Sequence, residues 1–211
     1  METFILAGLL GLGVAMASGF RAFMPLLMVG LADRFGFAGI ELGEGFAWLS
    51  SDVALGALTV AMIAEFVADK VPVVDNAMDA VGIVARPAIG AFAAMAAFSS
   101  ADPAVPALIA IVAAPAAGAV QLLKGATRVA STASTTGLGN PIVSLFEDVA
   151  AVVGVVLAFL APLLVPLFAA IVLFMAWRAF RFFRARLARR HGIAFRGPKI
   201  FQPKVMRDPT P

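Results

Sequence analysis

The residues best able to do chemistry lie together in one stretch, EFVADKVPVVDNAMDAVGIVARP (65–87). It carries Glu65, Asp69, Lys70, Asp75, Asp79 and Arg86 between two long apolar segments. Carboxylates supply the oxygen ligands that hard cations take, and desolvated ones can exchange protons. Asp69 follows Glu65 by four and Asp79 follows Asp75 by four, so each pair shares a helix face. Pro72 lies midway between Glu65 and Asp79. If it marks the bend of a helical hairpin, those two acids sit at similar depth. Lys70 and Asp75, next to the bend, read as solvated turn residues. Acids within apolar segments are costly in lipid and should face a protein interior or a water-filled cavity.

Three further groups join this set. Arg21 interrupts an apolar run at SGFRAF (18–23) and would lie at membrane depth, paired with a buried acid or binding an anionic group. The stretch KGATRVASTASTTGLGN (124–140) opens with Lys124 and Arg128 and is rich in hydroxyls and glycine. It reads as a loop ending in Asn140 as N-cap, with Pro141 at the first helical position. Its N–H groups and cations offer an anion site; a capped loop is the plainer reading. Glu147 and Asp148 follow two turns into the next apolar run. The candidate transport or ligand residues are therefore Arg21, Glu65, Asp69, Asp79, Arg86, Lys124, Arg128, Asn140, Glu147 and Asp148, with any metal left open.

The elements that must position them are membrane helices. The chain is 62% hydrophobic and only 14% charged, with several apolar runs of spanning length. The spacing predicts an all-α polytopic bundle of about six membrane segments, one or more of them broken or re-entrant. Residues 3–32 are too long for one untilted span and break near Ser18–Arg21. Segments follow at 51–69, 78–99, 104–124, 141–161 and 166–180. Residues 1–180 form the membrane domain; residues 181–211 form a basic tail, poorly ordered beyond Gly192. Ten of the sixteen Lys and Arg residues fall between Arg178 and Arg207. By the positive-inside rule this sets the C-terminus in the cytoplasm. If residues 3–32 cross once, the N-terminus lies there too, and six segments divide into two inverted triplets.

There is no Cys and a single His, His191, so thiol chemistry and a His-rich metal site are excluded. No Walker, HExxH, GxSxG or CxxC pattern occurs. We therefore expect no enzyme, no cofactor and no nucleic-acid partner. Membrane lipid and a small solute, ion or lipid phosphate are the expected partners, and a homodimer is compatible with so small a bundle.

The set ASGFRAFMPLL (17–27), EFVADKVPVVDNAMDAV (65–81), ARPAIGA (85–91) and STTGLGNPIVSLFEDV (134–149) resembles a bacterial integral-membrane family known as a domain of unknown function, DUF4126. The resemblance spans about residues 5–180. It implies a multi-pass protein of the bacterial inner membrane and brings no activity with it. From the residues themselves, a small secondary transporter or permease is the leading expectation. A structural, assembly or lipid-binding membrane protein is the alternative.

Overall fold

The structure, a computed structural model, describes residues 2–99, 102 and 104–190. Among them are seven α-helices: α1 (Glu2–Phe20), α2 (Phe23–Phe35), α3 (Asp52–Ala68), α4 (Pro72–Ala97), α5 (Ala104–Thr135), α6 (Asn140–Leu160) and α7 (Val165–Arg190). Short 3-10 turns occur at Ala47–Ser50 and Pro162–Leu164. The expected disordered tail and His191 lie outside the described residues. Residues Ala77–Ala97, α5 and α6 are long and apolar enough to cross a membrane. Large apolar side chains face outward on these helices: Val84, Ile111, Leu122, Val129 and Leu160 are all exposed. A soluble helix would turn such a face to a core; here it is the face that lipid would cover.

The first segment is a re-entrant pair and not a single crossing. α1 runs antiparallel to α4 and α6. Positions for a Cβ at Gly11 face Ile109 and Phe98, those at Gly13 face Ala158 and Val165, and Arg86 reaches the far end of α1 at Gly19. α2 then returns the way α1 came, with Gly30 against Leu49 and Leu55. The loop after it packs Phe37 on Phe159, and Gly43 N–H donates to Ser99 Oγ at 2.8 Å. Both outer ends of the pair thus lie at the α4–α5 turn, and its tip is Arg21. Of the two paths the sequence leaves open for residues 3–32, a single crossing or a re-entrant pair, the contacts select the pair: α1 begins at the end of the bundle opposite the α3–α4 turn. Only these contacts could decide it, since either path satisfies the same hydropathy.

Small residues hold the centre together. Ala15, Ala17, Ala93, Ala94, Ala117, Ala151 and Ala158 are fully buried or nearly so. A Cβ on Gly13 would come within 2.6 Å of Ala158 Cβ, and one on Gly90 within 2.6 Å of Ala117 Cβ. Helices in lipid gain no hydrophobic drive from contact with one another, so close backbone approach through small residues supplies the packing.

The stretch 124–140 departs from the expected loop. α5 continues to Thr135, and the turn is confined to 136–139, where Thr136 and Gly137 have φ of 54° and 90°. The hydroxyls serve the helix: Thr127 Oγ1 donates to Lys124 O, and Ser134 and Thr135 donate to Ser131 O. The N-cap position of α6 is Gly139, with no side-chain cap. Asn140 instead donates from Nδ2 to Thr132 Oγ1 at 3.0 Å, tying α6 to the end of α5.

Candidate functional site: a buried charged layer

The break between α1 and α2 leaves backbone groups without helical partners, and α3 and α4 supply them. Glu65, near the end of α3, accepts from the N–H of Ala22 at 3.0 Å and of Phe23 at 3.3 Å. A carboxylate at a helix N-terminus satisfies orphan donors and meets the positive end of the dipole. Arg86, midway along α4, donates to Gly19 O at 2.8 Å and also to Phe20 O. Glu65 and Arg86 pair with each other at 3.3 Å. One ion pair therefore closes both open ends of the hairpin tip.

A second tier lies closer to the α3–α4 turn. Arg21 is fully buried at the tip, pairs with Asp69 at 2.6 Å and with Asp148, and lies over the Phe66 ring. Arg128 on α5 gathers four carboxylates. It holds Glu147 at 2.6 Å and 3.2 Å, Asp69 and Asp79 at 3.4 Å, and Asp75. Lys124, one turn earlier, stands between Glu147 at 3.5 Å, Asp79 at 3.6 Å and Asp69 at 3.7 Å. These are ion-pair separations too long for hydrogen bonds, and Lys124 Nζ has no hydrogen-bond partner among the described residues. Asp69 and Asp79 also each keep one oxygen without a hydrogen bond.

The tier is exposed at the end nearer the α3–α4 turn. The Lys70 side chain is 54% exposed and reaches Asp148 at 3.4 Å and Ser144 Oγ at 3.3 Å. Asp148 and Asp79 are 16% and 17% exposed, whereas Asp69 and Lys124 are sealed. Beyond Arg86 the path ends at the alanine and glycine packing described above. Six carboxylates (Glu65, Asp69, Asp75, Asp79, Glu147, Asp148) meet five cations (Arg21, Lys70, Arg86, Lys124, Arg128), a surplus of one negative charge. Among the described residues no group of His, Asp and Glu is arranged to hold a metal ion.

Nine of the ten residues singled out in the sequence converge here; Asn140 lies apart, in the α5–α6 turn. Asp75, read as a solvated turn residue, is buried and paired with Arg128. Its i, i+4 relation to Asp79 was the signal that places it, since one arginine can reach both. Lys70 is exposed, as its place beside the bend predicts. Of the two acids on the α3 side of the bend, Asp69 shares Lys124 and Arg128 with Asp79, while Glu65 lies further in, with Arg86. Gln121, missed in the sequence, is buried and donates to Asp79 O at 3.0 Å.

Beside this layer, an apolar groove of about 330 Å³ opens sideways between α5, α6 and α7. Lys124 and Glu147 form its floor, and Thr127, Phe146, Ala150 and Met175 are among its walls.

The chain matches the family described as a domain of unknown function (DUF4126) over residues 9–182. It belongs to that family. No curated protein and no solved structure matches it. DUF4126 membership brings no substrate with it.

Proposed function

We propose that this DUF4126 protein is a small secondary transporter or permease whose site is the charged layer at the hairpin tip. The carrying observation is a helix broken inside the bundle, with both ends turned onto a charged layer that is exposed at the α3–α4 end. Discontinuous helices whose free ends point at an ion or substrate site are a recurring device of secondary transporters. The odd carboxylate favours a proton or a monovalent cation as the coupled species, because a net charge is costly in so dry a place. The sealed small-residue layer is then the closed gate of an inward- or outward-facing state.

The finer topology belongs to the same reading. By the positive-inside rule, the basic run that begins in the last part of α7 supports a C-terminus in the cytoplasm of a bacterial inner-membrane protein. α3 and α4 run opposite to α6 and α7, which supports an inverted repeat, although a hairpin heads one triplet and the continuous α5 heads the other. The reading includes no catalytic step and no cofactor. Its partners are a small solute or ion, and a second copy is compatible with the exposed apolar faces.

One observation favours the structural alternative for part of the set: Glu65 and Arg86 are fully used in closing the hairpin. The experiment that separates the readings is accessibility at Ser18, a fully buried residue just before the tip. The chain has no Cys, so Ser18→Cys in proteoliposomes reports alone. Transport requires that small thiol reagents reach it from either face, with the balance shifted by an imposed pH gradient and by Asp79→Asn. Reaction from the α3–α4 turn side alone, under every gradient, would leave the layer as a structural brace.

A further inference from the structure

The sideways groove has no place in the permease reading, and its surroundings indicate what fills it. Of the eleven residues lining it, only Lys124, Thr127 and Glu147 are polar, and the two charged ones are already engaged in the layer behind it. Its rim is the outward apolar face of the bundle, where Leu122, Ile142 and Phe146 are exposed. A volume near 330 Å³ lies at the low end of small-molecule sites, roughly 300–1,000 Å³. The occupant must therefore present a slender apolar chain from the membrane side.

α7 supplies the other half of the site. Val172 and Met175 line the groove. Arg178 follows Met175 by three, so it stands on the same helix face one turn nearer the basic end. Arg178 and Trp177 are exposed, and Arg181 stacks over the Trp177 ring at 4.8 Å. No Asp or Glu occurs between Val165 and Arg207, whereas ten Lys and Arg do. An apolar slot thus ends beside a cluster of one sign of charge, with an interfacial tryptophan stacked under Arg181. That order, chain then headgroup, is the order of a phospholipid.

We propose that the α5–α6–α7 groove is a binding site for an anionic phospholipid. One acyl chain lies in the groove against Lys124, Thr127 and Met175, and the phosphate is held by Arg178 and Arg181. The site is independent of transport: it needs neither the charge surplus nor a moving gate.

Trp177 makes this directly measurable. The chain has two tryptophans, so Trp48→Phe leaves Trp177 as the sole reporter beside the site. The full chain is reconstituted in phosphatidylcholine vesicles. A small fraction of chain-brominated phosphatidylglycerol or chain-brominated phosphatidylcholine is then added, and quenching of Trp177 is followed. Each arginine near an anionic headgroup contributes about a fivefold preference at low salt. Quenching should therefore reach half its maximum at a mole fraction of brominated phosphatidylglycerol at least several-fold below that of brominated phosphatidylcholine. Arg178→Glu should erase most of that preference and Arg178→Lys should keep it. Ala150→Phe, which fills the groove, should reduce quenching by both lipids while Arg178 is intact. Equal quenching by the two lipids in the parent chain overturns the proposal. So does a phosphatidylglycerol preference that survives Ala150→Phe unchanged, since the tail alone would then attract the lipid. If Ala150→Phe fails to fold, Thr127→Leu fills less of the same groove and is held to the same outcomes.

Discussion

Replacing Glu65 by Gln tests the account of the hairpin most directly. In the native bundle the Glu65 carboxylate accepts two backbone N–H groups of α2 and faces the Arg86 guanidinium at 3.3 Å. Glutamine keeps the shape and one carbonyl oxygen. Its amide nitrogen, however, is a donor set against donors: one of Ala22 N–H or Phe23 N–H loses its acceptor. Arg86 loses its counter-charge while 2% exposed, although Gly19 O and Phe20 O still accept from it. Removing one member of a buried pair typically costs about 3–5 kcal/mol. The two remaining carbonyl contacts of Arg86 put this case near the lower bound, about 3 kcal/mol. For a chain of this size each kcal/mol moves the melting temperature by about 2–4 °C, so a fall of roughly 6–12 °C is expected. The assay is thermal unfolding of the purified protein in one detergent at fixed concentration. A parallel cycle uses Arg86→Met and the double variant. Because each single change strands a partner, the double variant should lose clearly less than the two singles summed. An unchanged melting temperature in Glu65→Gln, or strict additivity in the cycle, would refute the claim that this pair closes the hairpin. The result also bears on transport. A Glu65 variant that fails to move solute would be uninformative if its fold were lost, which is why Asp79→Asn is the better probe of mechanism.

Two other outcomes follow from the geometry. Gly90→Leu should destabilise the bundle by about 1–3 kcal/mol or more, because even a Cβ there would approach Ala117 Cβ to 2.6 Å; the same change at Gly56, which faces open space, serves as the control, and equal effects in thermal unfolding would argue against close packing of α4 on α5. In the Cys-free chain, Ile5→Cys and Phe35→Cys should react with impermeant thiol reagents from one face of the membrane and Leu138→Cys from the other. Reaction of Ile5→Cys from the Leu138 face would replace the re-entrant hairpin by a full crossing.

Much of this protein was legible in its sequence. Apolar runs of spanning length dictate helices, since lipid offers backbone groups no other partner. Pro141 marks a helix start because a proline costs nothing where no N–H bond is due, whereas Pro72, whose place reads as the bend itself, already opens α4. Charged residues among apolar runs must find one another, and the nine charged candidates do. The tertiary structure decided the rest. Hydropathy has no sign of direction, so it could not tell a crossing from a hairpin; the contacts of Gly11, Gly13 and Gly30 do. Hydroxyl-rich sequence reads as loop, yet Ser131 and Ser134 are buried and the Ser134 and Thr135 hydroxyls donate to Ser131 O within the helix, so α5 runs on to Thr135. Asp75 reads as solvated from its place near a bend; the position of Arg128 on α5, far along the chain, buries it. Local pattern fixes which groups cannot face lipid, and packing alone settles which partner each of them meets.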